Sequence, residues 1–184
     1  MKTKLPILLI ALLLAACASE APMQQPPGDS AKSIEPAKLG DTPTVSRYRN
    51  LWFAAQPGEG DWQAVKDAGI KQVIDLRDRD EDRGYDESEM ARNAGLSYEV
   101  FELRKQEFSP EVVEAAVSAL DKAARTDEPT LVHCASSNRV GMVVAIWKYR
   151  DGEHLEDAIK AGEAAGMQSD NVVRKYLQDH PQAP

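Results

Sequence analysis

Between Arg139 and Tyr149 the sequence reads as a helix that is apolar on nearly all sides: Val140, Met142, Val143, Val144, Ala145, Ile146 and Trp147 leave it almost no polar face. A helix of that kind has to be buried in the middle of a domain. Directly before it, Pro129 to Cys134 (Pro-Thr-Leu-Val-His-Cys) reads as a strand. The centre of the fold is therefore a strand that feeds a buried helix, and the neighbouring elements have to enclose both.

The flanking sequence supplies those neighbours by alternating strand and helix. Arg47 to Ala55 reads as a first strand and Asp61 to Ala68 as a short helix stopped by Gly69. Lys71 to Leu76 is a second strand, Tyr85 to Ala94 a second helix stopped by Gly95, and Ser97 to Leu103 a third strand. Between the second strand and second helix lies a charged run, Arg77 to Arg83, which reads as a solvated loop. Ser109 is a candidate N-cap, with Pro110 at the first helical position and Glu111 in the first turn. Val112, Val113, Ala116, Val117 and Leu120 form the apolar stripe of that helix, and two polar helices, Glu153 to Ala165 and Asp170 to Asp179, close the chain. Alternation of this kind predicts an α/β domain: a central, largely parallel sheet of about four to five strands with helices on both faces.

The domain does not begin at Met1. Two lysines, Lys2 and Lys4, precede an apolar or small run from Leu5 to Ala16, too short to span a bilayer, which takes roughly 20 residues. Residues 1–16 fit a secretory signal peptide, and Leu14-Ala15-Ala16-Cys17 resembles the lipobox of bacterial lipoproteins, in which the cysteine is acylated. Cys17 is thus the expected lipidation site and membrane anchor. Ala18, a non-acidic residue after it, implies sorting to the outer membrane, facing the periplasm. Residues 18–44 hold five of the eleven prolines and no aromatic residue, so residues 17–44 read as lipidated cysteine plus disordered linker, and residues 45–184 as the folded domain.

Composition narrows the partners. The net charge is −8, which argues against nucleic acid, whose binders need a basic face, and against attachment to anionic lipid by charge alone. The three histidines and two cysteines are too scattered for a conventional zinc site. With Cys17 acylated, Cys134 would be the remaining thiol, so no internal disulfide is expected.

In open α/β sheets ligands bind beyond the carboxyl ends of the strands, often at a helix N-terminus. Here that place is Leu131-Val132-His133-Cys134-Ala135-Ser136-Ser137-Asn138-Arg139. Loop N–H groups and a helix N-terminus attract an anion, and the same field favours a thiolate nucleophile. Arg139 offers a planar fork of donors that can grip two phosphate oxygens. His133 can orient or polarise the loop from the strand end. Ala135, Ser136, Ser137 and Asn138, with Arg139, would form the phosphate cradle and Cys134 its floor. A cysteine at a strand end can also be no more than a small buried hydrophobe.

His-Cys, a short loop and an Arg opening a helix resemble the phosphate-binding loop of the protein tyrosine phosphatase superfamily. The match is to the bacterial phosphatase-like branch related to the β-lactamase hydrolase-like proteins. Gln56-Pro57, the stretch Ala64 to Arg77 containing Ala68-Gly69-Ile70 and Val73-Ile74-Asp75-Leu76-Arg77, and His133 to Arg139 carry the resemblance, which covers about residues 47–150. It implies a phosphate monoesterase working through a cysteinyl-phosphate, with no metal or organic cofactor, on a phosphorylated small molecule or protein. Three departures stand out. The loop between Cys134 and Arg139 has four residues where many tyrosine phosphatases have five. Ser137 stands where the branch has glycine. The stretch that would carry a general-acid Asp, Phe101 to Phe108, has none, and Glu107 is the substitute by position. These departures keep two other readings open: an inactive pseudo-phosphatase that binds phosphorylated or anionic partners, and a rhodanese-like sulfurtransferase.

Overall fold

A computed structural model describes residues 33–104 and 108–181. Their strands form one mixed sheet. In chain order these are β1 (Glu35–Pro36), β2 (Ser46–Tyr48), β3 (Leu51–Ala54), β4 (Gln72–Asp75), β5 (Ser97–Val100) and β6 (Thr130–His133). Their order across the sheet is β1-β2-β3-β6-β4-β5. β3, β6, β4 and β5 run parallel, while β1 and β2 are added antiparallel at one edge. The helices are α1 (Trp62–Asp67), α2 (Glu87–Asn93), α3 (Pro110–Ala124), α4 (Asn138–Arg150), α5 (Leu155–Ala164) and α6 (Asn171–Asp179).

The period-two alternation of each strand sorts its side chains onto two cores. Leu51, Phe53, Ile74, Val132 and Cys134 face one core, built with α3, α4, α5 and α6. Trp52, Ala54, Val73 and Leu131 face the other, built with Trp62 and Val65 of α1 and Ala91 of α2. Helices therefore cover both faces, as expected, and all four residues of β6 are buried at the centre. The helix expected to be enclosed is α4, buried from Arg139 to Lys148.

Three expectations are corrected. The strand read over Arg47 to Ala55 is a tight antiparallel hairpin, β2 and β3, turning at Arg49 and Asn50 with Arg49 at φ 55. The sheet gains strands over the expected count by this split and by β1. Chain ahead of Val45, read as linker, belongs to the packed unit: Glu35 pairs with Arg47, Leu39 is buried, and the Thr42 hydroxyl donates to Asp61 Oδ2 at 2.9 Å. Proline richness argued against a core here, but strand pairing and one buried leucine are enough to dock the segment on an existing edge. The Arg77–Arg83 run is solvated only in part: Arg79, Asp80 and Asp82 are exposed, whereas Arg77 is buried against the site described next. Cys17 and Glu107 lie outside the described residues.

Candidate phosphate-binding active site

Cys134 follows the carboxyl end of β6 and is 1% exposed. Its thiol is free. The next residues turn sharply into α4. Ala135 and Ser136 are exposed, and Ser136 makes an isolated bridge with Ala55 at the end of β3. Ser137 is fully buried at the N-cap of α4 with φ 67, in the left-handed region. Its hydroxyl donates to the Ala165 carbonyl at 2.7 Å. Asn138 Oδ1 accepts from the Gln168 N–H at 2.7 Å. The loop is thus tied on one side to β3 and on the other to the chain between α5 and α6.

Arg139, in the first turn of α4, is almost completely buried. Its Nη1 donates to the Leu103 carbonyl at 3.0 Å and to Glu81 Oε1, and its Nη2 donates to Glu81 Oε2 at 2.8 Å. Burial opposes its charge, but the bonds to Glu81 and the nearby Cys134 raise its pKa above the ordinary arginine value. An arginine has five N–H donors in a fixed fork. Glu81 and Leu103 hold the end of the guanidinium, so the remaining donors, on the Nε–Nη2 side, are left with no partner other than Cys134 among the described residues. That side is the one that can take two oxygens of a phosphate.

The charged run that holds Glu81 is itself organised by the sheet. Arg83 Nη1 donates to the carbonyls of Asp78, Arg79 and Glu81, while its Nε and Nη2 reach Asp75. Across the loop, Arg104 pairs with Asp78 at 3.3 Å. Glu81 is a site residue that reading the sequence missed. Its signal was present but ambiguous: seven consecutive charged residues directly after a buried strand that ends near the cysteine.

His133, the last residue of β6, points to the opposite core from Cys134 and is fully buried. There it meets Asp75 of β4 and Glu87 of α2, with one side-chain nitrogen or oxygen of each of the three within 4.8 Å of the others. The carboxylates already have cationic partners: Arg77 contacts both Asp75 and Glu87, and Arg83 contacts Asp75. The Tyr98 hydroxyl donates to Asp75 Oδ2 at 2.7 Å. Burial works against ionised Asp75, but the charges of His133 and Arg77 and the Tyr98 hydroxyl bring it down to about 2. Burial pushes His133 down to about 4, so its ring is neutral near pH 7 and Arg77 is the cation that holds Asp75 there. Burial raises Glu87 to about 7 in spite of Arg77.

A cysteine at the carboxyl end of a central parallel strand, facing an arginine of the helix that follows, places the fold among the tyrosine phosphatase-like proteins. P. aeruginosa TpbA superposes with a TM-score of 0.63 at 17% identity, covering 82% of this chain and 91% of that one. Tk-PTP gives 0.61 at 19% identity, covering 75% and 98%. A DUF442 protein from Shewanella putrefaciens CN-32 gives 0.60 at 18% identity, covering 78% and 97%. In sequence, the chain is 30% identical over 135 residues to a Beta-lactamase hydrolase-like protein of Xylella fastidiosa strain 9a5c, covering 70% of this chain and 30% of that protein. It is 29% identical over 146 residues to the protein of the same name from strain Temecula1, covering 76% and 33%. The chain thus spans about a third of the length of the curated relatives it matches. No family model matches it.

Proposed function

We propose that this protein is a cysteine-dependent phosphatase acting on phosphate monoesters. The observation that carries the reading is the state of Arg139: fixed by Glu81 and Leu103 through Nη1 and Nη2, it is held close enough to Cys134 for the two to interact, with donors of its fork left over. In this reading the Cys134 thiolate attacks phosphorus, an S–P bond forms, and the P–O bond to the leaving group breaks. Arg139 and the N–H groups of Ala135, Ser136, Ser137 and Asn138 hold the remaining oxygens. The leaving oxygen takes a proton from an acid, for which Glu107 is the candidate by sequence position. Water then attacks phosphorus, its proton returns to the carboxylate left by the acid, the S–P bond breaks, and inorganic phosphate and the Cys134 thiolate are released. His133 stays behind the loop as a positioning group.

The test is turnover of an aryl phosphate, a substrate with a good leaving group that asks little of a weak acid. Wild type should hydrolyse it, Cys134→Ser should abolish turnover, and Arg139→Lys should lower kcat/KM by about a hundredfold or more, since a lysine cannot grip two oxygens. Equal rates in wild type and Cys134→Ser would overturn the cysteine mechanism. The near-complete burial of Cys134 favours a second reading, a pseudo-phosphatase that binds phosphorylated or anionic partners. Binding of phosphotyrosine without turnover would select it.

We also propose that the protein is a lipoprotein of the cell envelope, anchored through Cys17 and facing the periplasm. The support is the order of charges, apolar run and Leu14-Ala15-Ala16-Cys17 in the sequence. No helix among the described residues is long and apolar enough to cross a membrane.

A further inference from the structure

The phosphatase reading uses Cys134 and Arg139 directly but leaves a buried acid without a task. Glu87 sits in the first turn of α2 and is completely buried. Its Oε2 pairs with Arg77. Its Oε1 lies 3.1 Å from His133 Nε2, in a contact that departs from ideal hydrogen-bond alignment, and neither atom has another hydrogen-bond partner among the described residues. Two lone pairs that close, shielded from water, repel each other, so one of the two atoms has to carry a proton.

A neutral imidazole has one N–H. If Nε2 carries it, it donates to an ionised Glu87 and Nδ1 is a bare acceptor. If Glu87 carries the proton, it donates to Nε2 and the ring's own hydrogen sits on Nδ1. The protonation of Glu87 and the tautomer of His133 are therefore one choice, and one proton exchanged with water moves the pair between its two states. The other ring nitrogen, Nδ1, is likewise buried without a hydrogen-bond partner among the described residues, and the adjoining Cys134 backbone favours the protonated ring, so the choice is presented to the residue that bears the nucleophile.

We infer that Glu87 is a positioning residue for Cys134: by gaining or losing its proton it selects the His133 tautomer, and with it whether the ring offers the Cys134 backbone a donor or an acceptor.

The surroundings leave that proton as the variable one. Facing the pair are Asp75 from β4, Arg77 from the turn after it, Arg83 from the charged loop, Tyr85 ahead of α2 and Tyr98 from β5. Asp75 stays ionised and both arginines stay charged. Burial raises both tyrosines, keeping them neutral. His133 is held neutral, whereas Glu87 titrates at about 7.

The inference rests on the phosphatase reading for its effect on rate, but its structural part is measured without turnover. In the full chain carrying 15N-labelled histidine, NMR should show His133 passing from the Nδ1–H tautomer below neutrality to the Nε2–H tautomer above it. Glu87→Gln should hold a single tautomer at every pH. Infrared spectra of wild type should show a buried protonated carboxyl that disappears over the same range. A His133 tautomer that does not change in wild type overturns the inference, even if the variant fails to fold, as does a change that survives in Glu87→Gln. In kinetics on an aryl phosphate, the ratio of kcat/KM above and below neutrality should differ by about threefold or more between wild type and Glu87→Gln, and equal ratios would refute an influence on the nucleophile. If the tautomer changes as expected but wild type has no turnover, the phosphatase reading fails and the proton-coupled pair stands.

Discussion

Ser137 holds a backbone conformation that glycine adopts freely and that costs a residue with a Cβ roughly 1–2 kcal/mol. With φ at 67, the position is the one where the resembling branch has glycine, but the serine does more than occupy it. Its hydroxyl bonds the Ala165 carbonyl at 2.7 Å, a bond worth about 1 kcal/mol, and that offsets much of the strain. Gly166, at φ 104, is part of the same fit, because a Cβ there would come within 2.6 Å of the Ser137 Cβ. Ser137→Gly should therefore leave stability within about 1 kcal/mol of wild type, losing strain and hydrogen bond together. Ser137→Ala should lose about 1–2 kcal/mol, because it keeps the strain and strips the buried carbonyl of its partner. Denaturant unfolding of the three proteins checks the order, and an alanine variant as stable as wild type would mean that the hydroxyl does not anchor the loop. The placement of Cys134 and Arg139 beside the same turn could be read from sequence because strand, loop and helix are consecutive. Glu81 and Glu87 could not, because their importance comes from partners at Arg139 and His133, far along the chain.

At the scale of elements, α4 carries the loop, and its placement depends on how closely α5 approaches. A Cβ on Gly141 would lie 2.3 Å from the Gly162 carbonyl oxygen and 2.3 Å from the Met167 amide nitrogen. Both are backbone atoms that cannot swing aside. Gly141→Ala should force α4 and α5 apart and destabilise the protein by about 1–3 kcal/mol or more, although alanine is the better helix former. Thermal unfolding measures it, and a raised midpoint would mean that helix propensity outweighs the close approach. Periodicity identified the sheet-forming segments and the helices α1 to α6, including the enclosed character of α4, because apolar patterning is local. The β2–β3 hairpin was not separated, since Arg49-Asn50 lacks the glycine that marks most such turns. β1 was hidden for a different reason: a two-residue edge strand containing proline has no periodicity to read, and only its partner β2 makes it a strand.

For the whole molecule, sheet register relates the chain's point of entry to its site. Glu35 pairs with Arg47, Arg47 with Trp52, and Trp52 with Leu131, while Cys134 lies just beyond the carboxyl end of β6. Pro36 pairs with Ser46, Ser46 with Phe53 and Phe53 with Val132, so β1 runs from the far end of the sheet toward the level of the cysteine. Ser33 and Ile34, the described residues ahead of β1, thus lie toward the end opposite the loop. If Cys17 carries lipid, the described chain that leads back toward it starts at that opposite end. Wild type should fractionate with membranes, and Cys17→Ser should appear in the soluble fraction or remain unprocessed. Once solubilised in detergent, the two should have kcat/KM values on a small aryl phosphate within about twofold, because the proposed cysteine mechanism asks nothing of Cys17. Identical soluble fractionation would refute the anchor. A tenfold or larger loss of kcat/KM in folded Cys17→Ser would instead show that the anchored end and the loop are coupled, contrary to the separation that the register describes.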